Sequence, residues 1–268
     1  MSQQPIGFLD SGVGGLTTFK AALQQLPNEN TIYVADEGHL PYGPRPAAEV
    51  KHFVWQIVSF LLDKDIKLLV VACNTATAAA LPALQAKLAI PVVGVIAPGA
   101  QAAARRTTNN KIGVIATEGT IKSAAYQAAL REINPNFVIT PLATPDFVTL
   151  VEAGRYQDPT IQPIITQTLQ PFRDAHVDTL IMGCTHFPLL RPFIQNAVGN
   201  EVSLIDAGVA AVDSVVALLD HYHLNNYDHH QPSHEFYTTG TTAHFDKLAQ
   251  QWLSQPTLHS QHLNLGSD

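Results

Sequence analysis

Leu69-Val70-Val71-Ala72-Cys73-Asn74-Thr75 and Leu180-Ile181-Met182-Gly183-Cys184-Thr185-His186 decide the reading of this chain. Each is an unbroken apolar run that ends in a cysteine, and the 268 residues contain no other cysteines. Short continuous apolar runs read as strands buried on both faces of a parallel sheet. In such sheets ligands bind beyond the carboxyl ends of the strands, so both thiols fall where chemistry is expected. A buried, inert thiol is the ordinary reading of any single cysteine.

The flanking sequence repeats. Ile6-Gly7-Phe8-Leu9-Asp10-Ser11 resembles Ile112-Gly113-Val114-Ile115-Ala116-Thr117, and each precedes its cysteine motif by a similar length of chain. The expected fold is therefore α/β: two similar α/β units with mainly parallel sheets, related by pseudo-two-fold symmetry, with the active site in the cleft between them. The repeat breaks at one informative place. Asp10 ends the first strand, whereas its counterpart Ala116 has no titratable group, and the second unit supplies His186 instead.

Apolar runs alternate with helical patterns along the chain, the signature of βαβ units. Strands are expected near residues 6–9, 31–35, 67–72, 92–96, 112–116, 137–142, 179–183 and 203–206, and helices at 47–63, 76–87, 124–133 and 161–175. Breaks at Ala97-Pro98-Gly99 and Ala207-Gly208 predict a first domain of residues 1–97 plus 208–268, carrying Asp10 and Cys73. The second, residues 98–207, carries Glu152, Cys184 and His186. The tail from Val209, with a long helix, a strand at 235–238 and a helix at 242–253, is expected to pack back on the first unit.

With 46% hydrophobic and 14% charged residues the chain can bury a large core. A net charge of −7, with 15 Lys and Arg forming no long cluster, argues against a nucleic-acid partner. No run is long enough to span a membrane and no secretory signal is visible, so the expectation is a cytoplasmic protein with reduced thiols. Eight of the 12 histidines lie in the tail, including His221-Tyr222-His223 and His229-His230. Without a cysteine or an H-E-x-x-H pattern nearby, they read as a solvated loop and not as a metal site.

Four segments could serve a small acidic ligand. Asp10-Ser11-Gly12-Val13-Gly14-Gly15 follows a strand and opens a helix, which suits either an anion site or a tight turn capped by Asp and Ser. It is neither a dinucleotide fingerprint nor a P-loop. Asn74, Thr75 and Thr185 are donors or plain helix caps, and a helix N-terminus beside each cysteine would favour its thiolate. His39-Leu40-Pro41-Tyr42-Gly43-Pro44-Arg45-Pro46 is a rigid loop, either a structural turn or a wall offering Tyr42 and the Gly43 N–H.

Taken in order, I-G-F-L-D-S-G-V-G-G-L at the start, L-P-Y-G at 40–43, A-C-N-T-A-T at 72–77 and G-C-T-H-F-P-L-L at 183–190 closely resemble the glutamate racemases of the cofactor-independent aspartate/glutamate racemase superfamily. The likeness covers essentially the whole chain. It implies interconversion of L- and D-glutamate without pyridoxal phosphate or metal, supplying D-glutamate for peptidoglycan, by a homodimer. It also implies substrate contacts at Asp10, Ser11, Pro41, Tyr42, Gly43, Cys73, Asn74, Thr75, Cys184, Thr185 and His186. By the same resemblance Cys73 removes the proton of D-glutamate with support from Asp10, and Cys184 that of L-glutamate with support from His186 and Glu152. An aspartate racemase and a non-catalytic amino-acid-binding module are the competing readings.

Overall fold

The computed structural model describes residues 3–227 and 231–266. In chain order the elements are β1 (Ile6–Asp10), α1 (Leu16–Gln25), β2 (Thr31–Ala35), α2 (Ala47–Asp63), β3 (Leu68–Val71), α3 (Asn74–Lys87), β4 (Val92–Gly94) and α4 (Ile96–Arg106). Then follow β5 (Lys111–Ala116), α5 (Glu118–Lys122), α6 (Ala125–Ile133), β6 (Val138–Ala143), α7 (Pro145–Glu152), α8 (Gln162–Asp174), β7 (Thr179–Gly183), α9 (Arg191–Val198) and β8 (Ser203–Asp206). The tail contributes α10 (Ala207–His221), β9 (His234–Thr238), α11 (Thr242–Leu253) and β10 (Gln261–His262).

Two wholly parallel sheets result, one of six strands in the order β10-β9-β2-β1-β3-β4 and one of four in the order β6-β5-β7-β8. The inner order β2-β1-β3-β4 of the first sheet is that of the whole second sheet, so the sequence repeat is a repeat of topology. Register makes the equivalence residue by residue. Leu9 pairs with Val71 and Ile115 with Met182, and each cysteine stands two residues beyond the β3 or β7 partner. Cys73 and Cys184 are thus structural counterparts at the carboxyl ends of the inner strands.

The apolar runs are strands because helices bury them on both faces: every residue of β1, β3 and β7 is buried. One apolar cluster joins the sheets, with Phe8, Leu16 and Phe19 from one side and Ile115, Met182 and Phe187 from the other. The tail completes the first sheet, because β9 pairs with β2 and β10 with β9.

Some elements differ from the sequence expectation. The strand expected at 92–96 ends at Gly94, and α4 runs straight through Ala97-Pro98-Gly99. Pro98 lies in the first turn of α4, where its missing N–H has no intrahelical acceptor in any case. Helix α7 and the two-residue β10 were not expected. His229 and His230 lie outside the described residues, and His221 closes α10.

Candidate active site

Cys73 and Cys184 line one cavity of about 180 Å³, below the volume of a drug-sized pocket and suited to a small ligand. Ser11, Pro41, Tyr42 and Gly43 line it from the loops after β1 and β2, Asn74 and Thr75 from the start of α3, and Thr185 and His186 from the turn after β7. Asp10 and Glu152 stand behind this wall. The sequence therefore names residues that meet, but two of them act through a neighbour.

Around Cys73 the local geometry is that of a helix start. The sulfur itself is the N-cap of α3, accepting from the Ala76 N–H at 3.4 Å, and its thiol points to Ser11 Oγ at 3.8 Å. Asn74 and Thr75 are consequently the first residues of the helix and not its caps, which leaves their side chains free to reach across the cleft. Asn74 Oδ1 accepts from the Tyr126 hydroxyl at 2.7 Å, and Thr75 Oγ1 bonds Thr117 Oγ1 at 2.8 Å. Burial and the nearby Asp10 carboxylate push the Cys73 thiol up to about 12, so it is protonated at neutral pH.

Cys184 has a different surrounding. The segment after it is a 3₁₀ turn at Phe187–Leu190, because Pro188 lacks the N–H that would donate to the Cys184 carbonyl in an α-helix, and Phe187 N donates there instead. A helix N-terminus therefore stands at Cys73, where burial and Asp10 outweigh it, and none stands at Cys184. The side chain against its sulfur is His186, whose Nδ1 lies 3.7 Å away while Nε2 bonds the Glu152 carboxylate. Burial alone would lower the imidazole, but Cys184 and Glu152 outweigh it and raise His186 to about 10. Burial likewise disfavours the Glu152 carboxylate, yet the bond to His186 holds it below the usual range.

Asp10 is fully buried. Its Oδ2 accepts from the N–H groups of Gly12 at 3.2 Å and Gly15 at 3.0 Å, and its Oδ1 takes the Thr185 hydroxyl at 3.4 Å. Two donors of the glycine-rich turn are thus occupied by Asp10 itself, and the glycines serve close approach. A Cβ on Gly15 would fall 2.5 Å from the Asp10 Cβ, and one on Gly14 2.5 Å from Thr185 Oγ1. Burial pushes Asp10 up to about 6 despite those donors and the His186 charge.

The Tyr42 hydroxyl is also engaged, donating to Asp36, which further accepts from Thr239 Oγ1 at 2.7 Å. Gly43 holds the loop to the second sheet's side through its carbonyl, which accepts from the Gly119 N–H at 2.9 Å. Thr117 lines the cavity and was not singled out by sequence, although the repeat pairs it with Ser11. Among the described residues no group of three His, Cys, Asp or Glu side chains is placed to hold a metal.

Two thiols at equivalent strand ends, opening on one small cavity, are the groups here able to serve acid–base chemistry on a small molecule, and the fold around them is that of an amino-acid racemase. The chain belongs to the Asp/Glu/Hydantoin racemase family, whose model matches residues 11–215. Its full-length relatives are more specific. It is 51% identical to the glutamate racemase of Enterococcus faecalis over 100% of this chain and 98% of that protein. Identity to the glutamate racemase of Lactiplantibacillus plantarum is 50%, with the same coverage. Glutamate racemase RacE1 of Bacillus anthracis superposes with a TM-score of 0.94 at 40% identity, covering 99% of each chain. That of Francisella tularensis, solved in complex with D-glutamate, gives 0.92 at 33% identity, again over 99% of each chain.

Proposed function

We propose that this protein interconverts L- and D-glutamate by a two-base mechanism without pyridoxal phosphate or metal, supplying D-glutamate for peptidoglycan. The observation that carries the reading is the equivalent placement of Cys73 and Cys184 on one cavity. Inverting a stereocentre through a planar carbanion requires a base on one face and an acid on the other. The resting state of Cys73 suits this, because a protonated thiol is what delivery of a proton requires. Cys184 then removes the α-proton of L-glutamate, the electron pair delocalises into the α-carboxylate, and the Cys73 S–H delivers a proton to the opposite face. The Asn74 amide and the Ser11 hydroxyl are the dipoles available to that developing charge.

Several features accompany this reading as proposals. Residues 1–97 with 208–268 form one domain and 98–207 the other, and the enzyme works in the cytoplasm as a homodimer. No helix among the described residues is long and apolar enough to cross a membrane.

Circular dichroism of L-glutamate incubated with the protein is the test. The signal should decay to zero in the wild type and persist with Cys73→Ala or Cys184→Ala. In deuterated water the product should carry deuterium at Cα. Normal turnover by either variant, or a product that retains its original hydrogen, defeats the scheme. Slower turnover of glutamate than of aspartate would transfer the activity to the shorter substrate.

A further inference from the structure

Tyr126 is a buried polar side chain that the reaction has not yet used. It enters from α6 into the apolar cluster of Ile112, Val114, Leu130 and Ile181 and is only 1% exposed. Two glycines make room for it: a Cβ on Gly183 would fall 2.9 Å from the ring Cε2, and one on Gly99 3.4 Å from the hydroxyl. The hydroxyl meets Asn74 Oδ1 at 2.7 Å and makes no other hydrogen bond among the described residues. One side chain thus touches the residue after Cys73 and the residue before Cys184.

We propose that Tyr126 is a positioning residue for the reaction, whose hydroxyl holds the Asn74 oxygen so that the amide nitrogen presents its N–H groups to the α-carboxylate of the substrate. This rests on the two-base reading, in which negative charge develops on that carboxylate as the α-proton leaves. The hydrogen-bond inventory fixes the direction. An amide accepts at its oxygen and donates at its nitrogen, and the single proton of a phenol needs an acceptor. With the amide reversed, that proton would have none among the described residues, and Asn74 would turn an oxygen toward an anion. Asn74 is 3% exposed and lines the cavity, and its amide nitrogen has no partner among the described residues, so the nitrogen is the end left for a ligand. Burial pushes the Tyr126 hydroxyl well above its ordinary value, which keeps it a donor at every working pH. The amide dipole is therefore aligned before substrate arrives, and a preorganised donor costs no reorganisation when the charge appears.

The experiment joins steady-state kinetics to nitrogen-15 NMR of the Asn74 side-chain amide, assigned from Asn74→Ala. Tyr126→Phe keeps the ring between its glycines and removes only the donor. It should lower kcat about tenfold while KM changes by less than about threefold, because alignment of the amide matters most once charge has developed. In the Asn74→Ala background the same substitution should change kcat by less than about twofold, since the hydroxyl then has nothing to hold. Exchange of the glutamate α-proton into deuterated water, followed over days, reads the slow variants of this cycle. Without substrate, the Asn74 amide signals should shift in Tyr126→Phe. Equal losses in the two backgrounds, a loss confined to KM, or Asn74 signals indifferent to the substitution would overturn the proposal. A wild type that fails to racemise glutamate, with the Asn74 signals still governed by Tyr126, would instead defeat the two-base reading, so the two failures are distinguishable.

Discussion

Gly14 and His186 touch across the cleft: a methyl group added at Gly14 would lie 2.7 Å from both Cε1 and Nδ1 of the imidazole. The turn after β1 is therefore shaped by what the second sheet presents to it. Thr17 adds to the contact, its hydroxyl donating to the Thr185 carbonyl at 2.9 Å. Gly14→Ala should displace the imidazole from Cys184 while leaving the secondary structure intact. A fall in kcat/KM of at least ~10-fold is expected, since small displacements of a proton-transfer partner are costly. Unimpaired turnover, with an unaltered far-ultraviolet spectrum, would show that the imidazole tolerates the shift.

The unequal thiols should be visible to a small neutral alkylating reagent. At pH 7.5 Cys184 should react before Cys73, because burial and the Asp10 carboxylate hold Cys73 as the unreactive thiol. Peptide mass mapping after brief exposure reads the order. Glutamate should protect both, and preferential labelling of Cys73 would contradict the assigned resting state.

Stability should respond to pH through Asp10 and His186. Asp10 titrates near 6 in the folded protein, above the usual carboxylate value of 3.8, so stability falls as pH rises from 3.8 through 6 and the penalty persists above. Asp10→Asn should therefore raise Tm relative to wild type at pH 8, with the gain vanishing near pH 4. His186 is raised to about 10 from 6.5, so its contribution is complete below 6.5 and is lost as pH climbs through 10. His186→Gln should flatten that alkaline decline, and an equally steep decline in the variant would refute the assignment.

Thr117 links the cavity wall to Thr75 and bonds Thr120 Oγ1 at 3.0 Å. Thr117→Val keeps the volume and removes the hydroxyl, at a cost of about 1 kcal/mol for one hydrogen bond, or roughly fivefold in KM for glutamate. Steady-state kinetics should show the loss mainly in KM. A change confined to kcat would place Thr117 in proton transfer and not in binding.

Away from the cleft, Lys67 pairs with Glu29 where the two side chains are only 1% and 3% exposed, and Lys67 also donates to the Leu224 carbonyl at 2.7 Å. Lys67→Met strands a buried carboxylate and should destabilise by about 3 kcal/mol in urea denaturation, with activity at low denaturant retained. Adding Glu29→Gln should recover part of that loss. No recovery would mean that packing of the lysine stem, and not its charge, holds the post-α10 loop.

Sequence patterns located the inner strands well, because strands buried on both faces leave unbroken apolar runs: residues 31–35, 179–183 and 203–206 form strands with the expected bounds. Helix α4 escaped notice because Pro98-Gly99 signals a break when read locally, whereas in a first turn it costs little. Most of the site was visible as motifs, but their division of labour was not. Which atom caps α3, which donors Asp10 consumes and where the Tyr42 hydroxyl points depend on contacts between segments far apart in sequence. Thr117 went unnoticed for the same reason, since only its place in the repeat opposite Ser11 marks it.

Asp10 at the end of β1 and Ala116 at the same place on β5 make the two sides of the cleft chemically unlike. Mirror-image amino acids have identical free energies in water, so in a racemase acting on them kcat/KM must be the same from either enantiomer at every pH. The lopsided flanks can then express themselves only as paired differences: whichever enantiomer turns over faster at saturation must show the higher KM, and by the same factor.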